Sequence, residues 1–301
     1  MPLATRSRKR YTRLTWDDYL FSLLSYSFCI FAMIITVYPF IYVISMSLSD
    51  KQYVLSQTIW LWPRGLDLGS YKLVLDNPDV WRAYYNTIWY TSVGTFINVL
   101  MTMLAAYPLS RRTFFLRNPL TLFITFTMFF GGGLIPAFIL MRNLNLYNTR
   151  WVMVIPGAIS VYNMLIARQY LMSIPDSLHE CARIDGAGEG RILWNIFLPL
   201  CKPIIAVLIL FYAVGHWNSY ITAVIFLPNQ ALQPIQVFLA KVLVQNSEEA
   251  LREMPGGMDR SLYATQLKYA VIIVVILPIL IVYPYVQRYF VKGVMIGAIK
   301  G

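Results

Sequence analysis

The chain has 301 residues, of which 58% are hydrophobic and only 13% charged, with a mean hydropathy of +0.57. Soluble domains carry charge on about a quarter of their residues, so a water-soluble globular fold is excluded and a helical membrane protein with several spans is expected. Apolar runs of about 20 residues likewise exclude an outer-membrane barrel, and the net charge of +11 is read first through topology and anionic lipid, without nucleic acid.

In chain order, residues 1–18 form a basic arm with Arg6, Arg8, Lys9, Arg10 and Arg13. The run 19–47 is far longer than the apolar region of a signal peptide and is expected to be a retained first span. Residues 48–84 are mixed and polar, with Trp60, Trp62 and Pro63 suited to a membrane interface. A second span, 85–109, is closed by Arg111 and Arg112. A third, 120–141, contains Gly131, Gly132, Gly133 and Pro136, so no continuous helix is expected there. The fourth span is placed at 151–171, the fifth at 203–226 and the sixth at 267–289. Between the last two lies a long stretch, 226–266, with a turn at Pro255-Gly256-Gly257 and the acids Glu248, Glu249 and Glu253. The three cysteines, Cys29, Cys181 and Cys201, make no spacing motif and imply neither a disulfide framework nor a metal site.

Basic residues in short flanks set orientation. The N-terminal arm and the Arg111/Arg112/Arg117 segment place the first and third flanks inside. Six spans then follow, with both termini in the cytoplasm, loop 175–199 inside and loop 226–266 outside.

Loop 175–199 is polar between two apolar runs. Pro175 suits a helix start, and Asp176 falls in the first turn, where the macrodipole favours an anion. Leu178, Ala182 and Ile184 recur at roughly helical spacing, and Asp185-Gly186-Ala187-Gly188 breaks the helix through the φ > 0 conformation open to glycine. A second short amphipathic piece runs from Ile192 to Leu198 and is closed by Pro199. Helix, glycine turn, helix makes a compact knob for a partner protein.

Glu180, Ala182, Asp185, Gly186, Ala187, Leu198 and Pro199 fall in order on the pattern of the cytoplasmic coupling loop of ABC-importer permeases, and the chain resembles that family. Cys181 stands where alanine is usual, a small apolar replacement. The resemblance extends to Tyr38-Pro39-Phe40, to Ala105-Ala106-Tyr107-Pro108-Leu109-Ser110-Arg111, to Gly132-Gly133-Leu134-Ile135-Pro136, to Trp217-Asn218 and to the C-terminal stretch from Tyr283 to Gly301, with Phe290-Val-Lys-Gly-Val-Met-Ile-Gly. It is strongest with the carbohydrate (maltose-type) permeases, in the subgroup for oligosaccharides and uronate-containing sugars. It implies an all-α membrane protein of the type I importer fold, residues 19–301 forming one six-span domain behind the arm 1–18. It also implies a second homologous permease subunit, two ATPase subunits that hold the ATP and magnesium, an extracytoplasmic solute-binding protein and an oligosaccharide substrate. The implied role of Glu180 is to meet a basic residue of the ATPase, and loop 226–266, with Pro255, Gly256 and Gly257, faces the binding protein.

Polar residues inside spans must face protein or a watery path. Trp217, Asn218 and Tyr220, with Asn163 and the Gly132/Gly133 break, are the candidates for a translocation path; Asn98, His216 and Ser219 share this placement. Hydrogen-bonded glue between helices is the competing role. Asp185 has a local alternative as a turn-forming side chain, and His179 is expected to be solvated. The chain has no glycine-rich phosphate loop, no zinc-type His/Cys spacing and no ordered nucleophile–base set. It is expected to be a transport subunit rather than an enzyme, with no cofactor of its own. A permease for a non-sugar solute such as a peptide, or an ion-driven carrier, is the alternative.

Overall fold

A computed structural model describes residues 16–244 and 260–298. Its helices are α1 (Trp16–Leu48), α2 (Lys51–Leu55), α3 (Gly69–Leu75), α4 (Pro78–Ser110), α5 (Arg117–Phe129), α6 (Leu134–Asn143), α7 (Val161–Met172), α8 (Asp176–Ile184), α9 (Glu189–Ile192), α10 (Leu198–Leu200), α11 (Lys202–Trp217), α12 (Ile221–Phe226), α13 (Ile235–Val244) and α14 (Arg260–Ala298). Tight turns occupy Arg150–Met153 and Gln230–Leu232, and a π turn occupies Leu193–Phe197. Among the described residues the one strand-like pairing is the bridge between Ser49 and Leu66.

Helices α1, α4 and the 265–284 part of α14 are each long and apolar enough to cross a membrane. Two bent pairs add to these: α5 with α6, at 113°, and the 189–200 helical stretch with α11, at 81°. By length and composition this makes three spans, or up to five, among the described residues. The expected third span is broken where the glycines predicted a break. Helix α5 ends at Phe129, and Gly133, at φ +82°, precedes α6. The threonines of α5 turn inward on their own helix, Thr121 Oγ1 donating to Arg117 O and Thr125 Oγ1 to Thr121 O, so its surface stays apolar.

Other expected runs are corrected. Residues 151–171 do not form one helix: the turn ends at Met153, Pro156 and Gly157 follow, and α7 takes only 161–172. Non-helical backbone in an apolar setting needs partners, and neighbouring helices supply them. Asn98 Nδ2 of α4 donates to Gly157 O, and the Ser160 N–H donates to the Tyr212 hydroxyl of α11 at 3.0 Å. The fifth run divides into α11 and α12, with Ser219 Oγ donating to His216 O at 2.7 Å in the break. Among the described residues of 226–266, 235–244 form α13 and 260–266 belong to α14, with a connection at 227–234. Pro255, Gly256 and Gly257 lie outside the described residues, as do residues 1–15 of the basic arm.

Helix α4 is the axis of the fold. At 1.5 Å per residue it is about 50 Å long, and it packs against α11, α7, α13 and α5. Near its start, Val74 of α3 with Val80 and Ala83 pack against Ile235, Val242, Leu267 and Val271. Near its end, Met103, Ala106, Tyr107 and Leu109 pack against α7, α8, the π turn and α11. Between these clusters Gly94 lets α11 approach so closely that a Cβ there would overlap the His216 ring. His216 Nε2–H donates to Asn98 Oδ1 at 2.8 Å, because an amide oxygen can only accept. Thr102 and Tyr212 share a further buried hydrogen bond at 2.7 Å. At the start of α14, buried Gln266 donates to Ser47 O, Ser49 O and Asp67 O at 2.9 to 3.2 Å, fastening the segment after α1.

Gly94→Val should displace His216, break its bond to Asn98 and cost about 1–3 kcal/mol, as overpacking usually does. Thermal unfolding in detergent checks this: the Gly94→Val/His216→Ala double variant should lose less than the sum of the two single losses.

Candidate functional site

The loop 175–199 is built as a platform with two faces. Helix α8 ends in a glycine cap: Gly186 sits at φ +78°, its N–H donates to Arg183 O, and the Ala187 N–H reaches back to Ala182 O, both at 3.0 Å. That bond pair satisfies carbonyls that a helix end otherwise leaves orphaned. No atom lies within 4 Å of where a Gly186 Cβ would stand, so backbone angle alone demands glycine. From Glu189 the chain stays helical through α9, the π turn and α10, with Pro199 inside α10 rather than ending it. Pro199 has no N–H to give to the preceding turn, and that preceding turn is the π turn.

One face belongs to the chain's own core. Ala182, Ile192, Leu193 and Phe197 are buried with the ends of α4, α7 and α11, and Ala187 and Leu198 pack at the edge. Ala182 is therefore not part of an outward apolar stripe, as its spacing suggested. His179 is also corrected: it is buried, not solvated. Its Nε2 lies 3.1 Å from both carboxylate oxygens of Glu189, and the Tyr107 hydroxyl donates to the same carboxylate at 2.9 Å. Burial pushes the Glu189 carboxyl up, but the His179 and Tyr107 hydrogen bonds and the nearby His179 and Arg183 charges turn the net shift downward. Its contribution to tying α8 to α9 is thus present above the ordinary carboxylate range and is lost as pH falls through the lowered value.

Arg111, one residue past α4, closes the platform. Its guanidinium lies 4.3 Å from the centroid of Phe197 and 5.1 Å from that of Tyr107, while Nε donates to Ser110 Oγ at 3.2 Å. Asp176 at the start of α8 is 3.9 Å from Arg111 and 3.7 Å from Arg112. Arg168 of α7 donates to Leu109 O at 2.9 Å, satisfying one carbonyl at the end of α4.

The other face looks outward. Glu180, Cys181, Ile184, Asp185 and Gly186 are exposed, and Leu178 and Pro199 are exposed at its margins. Ile184, at 84% exposure, stands one helical turn beyond Glu180, so a carboxylate and a large apolar side chain share one open patch. The sequence singled out Glu180 and Asp185, which are exposed here, marked Arg111 and Tyr107 only for orientation and resemblance, and did not show the cluster that joins them to His179 and Glu189. The available signal was the acid Asp176 near a loop whose nearest inside flank carries Arg111 and Arg112.

The candidate path residues are scattered. Asn163 is buried near the start of α7. Trp217 packs against Tyr84, ring centroids 6.5 Å apart, with its indole N–H buried and unpaired. Asn218 caps the end of α11. Tyr220 borders a cavity of about 250 Å³ with Val224, Gln233 and Lys241. Nothing lies within 4 Å of where a Cβ would stand at Gly132 or Gly133, so neither serves close packing within the chain. Asn98 and His216 are glue between helices. Among the described residues no His, Cys, Asp and Glu group is arranged to hold a metal ion.

Residues 84–296 match the family described as binding-protein-dependent transport system inner membrane component. The chain belongs to that family. Over 284 residues it is 37% identical to the polygalacturonan/rhamnogalacturonan transport system permease protein YtcP of Bacillus subtilis, covering 94% of this chain and 99% of the relative. It is 36% identical to the protein LplC of the same organism, covering 89% of this chain and 90% of that one. A crystal structure of a bacterial ABC transporter involved in the import of the acidic polysaccharide alginate contains a chain that superposes with a TM-score of 0.85 at 33% identity, covering 93% of this chain and 99% of the other. The protein is thus a multi-pass permease component of an ABC importer, a transport subunit and not an enzyme.

Gly186→Val should leave the permease folded, because space is available, yet strain the turn, since a non-glycine residue in this region costs about 1–2 kcal/mol and a β-branched one more. Hydrogen exchange at the amides of 183–187 should speed up, and ATPase co-purification should fall. Unchanged exchange would show that the cap does not depend on glycine.

Proposed function

We propose that this permease moves an acidic oligosaccharide into the cell by alternating access, coupled to an ATPase through the outward face of loop 175–199. The carrying observation is the two-faced platform: residues of the coupling pattern are held on one side by the ends of α4, α7 and α11 and presented on the other as Glu180 with Ile184. Helix α8 enters that core through Ala182 and is linked to the end of α4 through His179, Glu189 and Tyr107, so its displacement is passed on to α4. The similarity to a polygalacturonan/rhamnogalacturonan permease and to an alginate importer chain, each over more than nine-tenths of the chain, supports a carboxylated sugar as cargo.

In this reading the chain crosses the inner membrane six times with both termini in the cytoplasm, the broken runs counting as spans. It pairs with a second permease, two ATPase subunits that bind ATP and magnesium, and an extracytoplasmic solute-binding protein facing residues 226–266. The apolar surface of α1, where Phe28, Phe31 and Ile34 are exposed in the single chain, suits lipid or the second permease. Closing of the ATPase pair drives the platform only if the docked surfaces bind one state more tightly than the other, since a ligand shifts an equilibrium by its differential affinity alone. Glu180 supplies a charge-assisted bond to a basic partner residue, and Ile184 supplies apolar burial.

Glu180→Gln keeps size and polarity and should weaken docking by about 1 kcal/mol, the gap between charged and neutral hydrogen bonds. Glu180→Lys should weaken it further by like-charge contact. ATPase retention on the purified permease at two salt concentrations reads this out, in the order wild type, Gln, Lys, with the gap narrowing at high salt. If the Lys variant retains the ATPase as well as wild type does, Glu180 is a solvated residue and docking rests on the apolar patch.

A further inference from the structure

The start of α4, the 230–234 turn, α13 and the start of α12 border two open cavities, of about 60 Å³ and 250 Å³. Asn77, Arg82 and Phe238 border the first, Tyr220 and Val224 the second, and Gln233 and Lys241 border both. Gln233 and Lys241 thus stand between the two, on a surface, hereafter the groove, that runs from the first turn of α4 to the break between α11 and α12. At the orientation proposed above it opens on the outer side, where the sugar arrives.

Its charges are not balanced alike. The Arg82 guanidinium is engaged by Asp79 at 2.7 Å. Lys241 is half-buried in the groove and has no carboxylate partner among the described residues. The last turn of α13 favours a cation at that place through the helix dipole, but it supplies no counter-ion. The cavities that Lys241 borders are lined besides by the Asp79–Arg82 ion pair, whose charges offset each other, and by amides and rings. Gln233 is fixed by donating to Leu227 O at 3.0 Å, Asn77 Oδ1 accepts the Asp79 N–H at 2.9 Å, and Phe238 and Tyr220 provide flat apolar surface. Amides and rings with one unpaired ammonium suit a sugar ring that carries a carboxylate, since the charge-assisted bond is the strong contact and the amides meet hydroxyls.

We propose that Lys241 is the specificity-determining contact of this permease, taking the carboxylate of an acidic sugar unit in the groove between Asn77 and Tyr220. The proposal rests on the reading that the cargo is an acidic oligosaccharide.

The test uses the complete transporter in liposomes, with trigalacturonate as the probe and raffinose as a neutral comparison. Lys241→Gln should raise the KM for trigalacturonate uptake on the order of tenfold with kcat little changed, as loss of one charge-assisted bond implies. Lys241→Glu should raise it further, and Lys241→Arg should restore most of it. Stimulation of hydrolysis by the sugar-free binding protein should be the same in all forms. If wild type carries trigalacturonate and the Gln and Glu variants match its KM, the contact is refuted while the acidic-cargo reading stands. If wild type carries raffinose and not trigalacturonate, the reading falls and the contact with it. Altered stimulation without sugar would assign Lys241 to docking of the binding protein and overturn the proposal.

Discussion

The platform depends on Arg111 held over the ring of Phe197. The guanidinium is buried, with 8% of its side chain exposed, whereas Asp176 beside it is 55% exposed and lies 3.9 Å away. A long ion pair to an exposed carboxylate contributes at most about 1 kcal/mol. A desolvated cation over aromatic faces contributes about 2 kcal/mol or more, besides the packing of the two rings it covers. Stacking and burial therefore outweigh the salt bridge. Lysine would be a poor substitute, because a compact ammonium reproduces neither the flat stack nor the directed Nε–H bond.

From that contact the rest follows by connectivity. Phe197 meets Tyr107 edge to face at 5.5 Å, Tyr107 bonds Glu189, and Glu189 bonds His179 on α8. One cluster thus joins α8, the segment after it and the end of α4, while Arg168 ties α7 to the same end. Higher along α4, Asn98 and Gly94 hold α11 through His216, and Asn98 also holds the irregular backbone at Gly157. The helix that anchors the platform is the one that anchors the broken spans.

Much of this was legible in the chain. Gly186 announced its turn because a residue with φ > 0 after a short helix is a local matter, and Gly131 to Gly133 announced a break for a similar reason. Glu180 and Asp185 stood out by pattern, although their part in docking remains a proposal. What escaped was tertiary. The run 151–171 reads as a span by hydropathy because composition does not register that Asn98 and Tyr212 satisfy a non-helical backbone. His179 looks solvated in a polar loop, and its burial depends on Glu189 in the next helix and Phe197 beyond it. The ten residues of α13 were hidden inside a presumed loop, too short to announce a span.

Arg111 welds the platform to α4. Hydrogen exchange of residues 176–199 in Arg111→Ala, measured in the assembled transporter together with ATP-driven uptake, tests it most directly. Faster exchange throughout 176–199 and lost uptake are expected, with the ATPase still bound through the Glu180 face. Wild-type exchange together with wild-type uptake would contradict it.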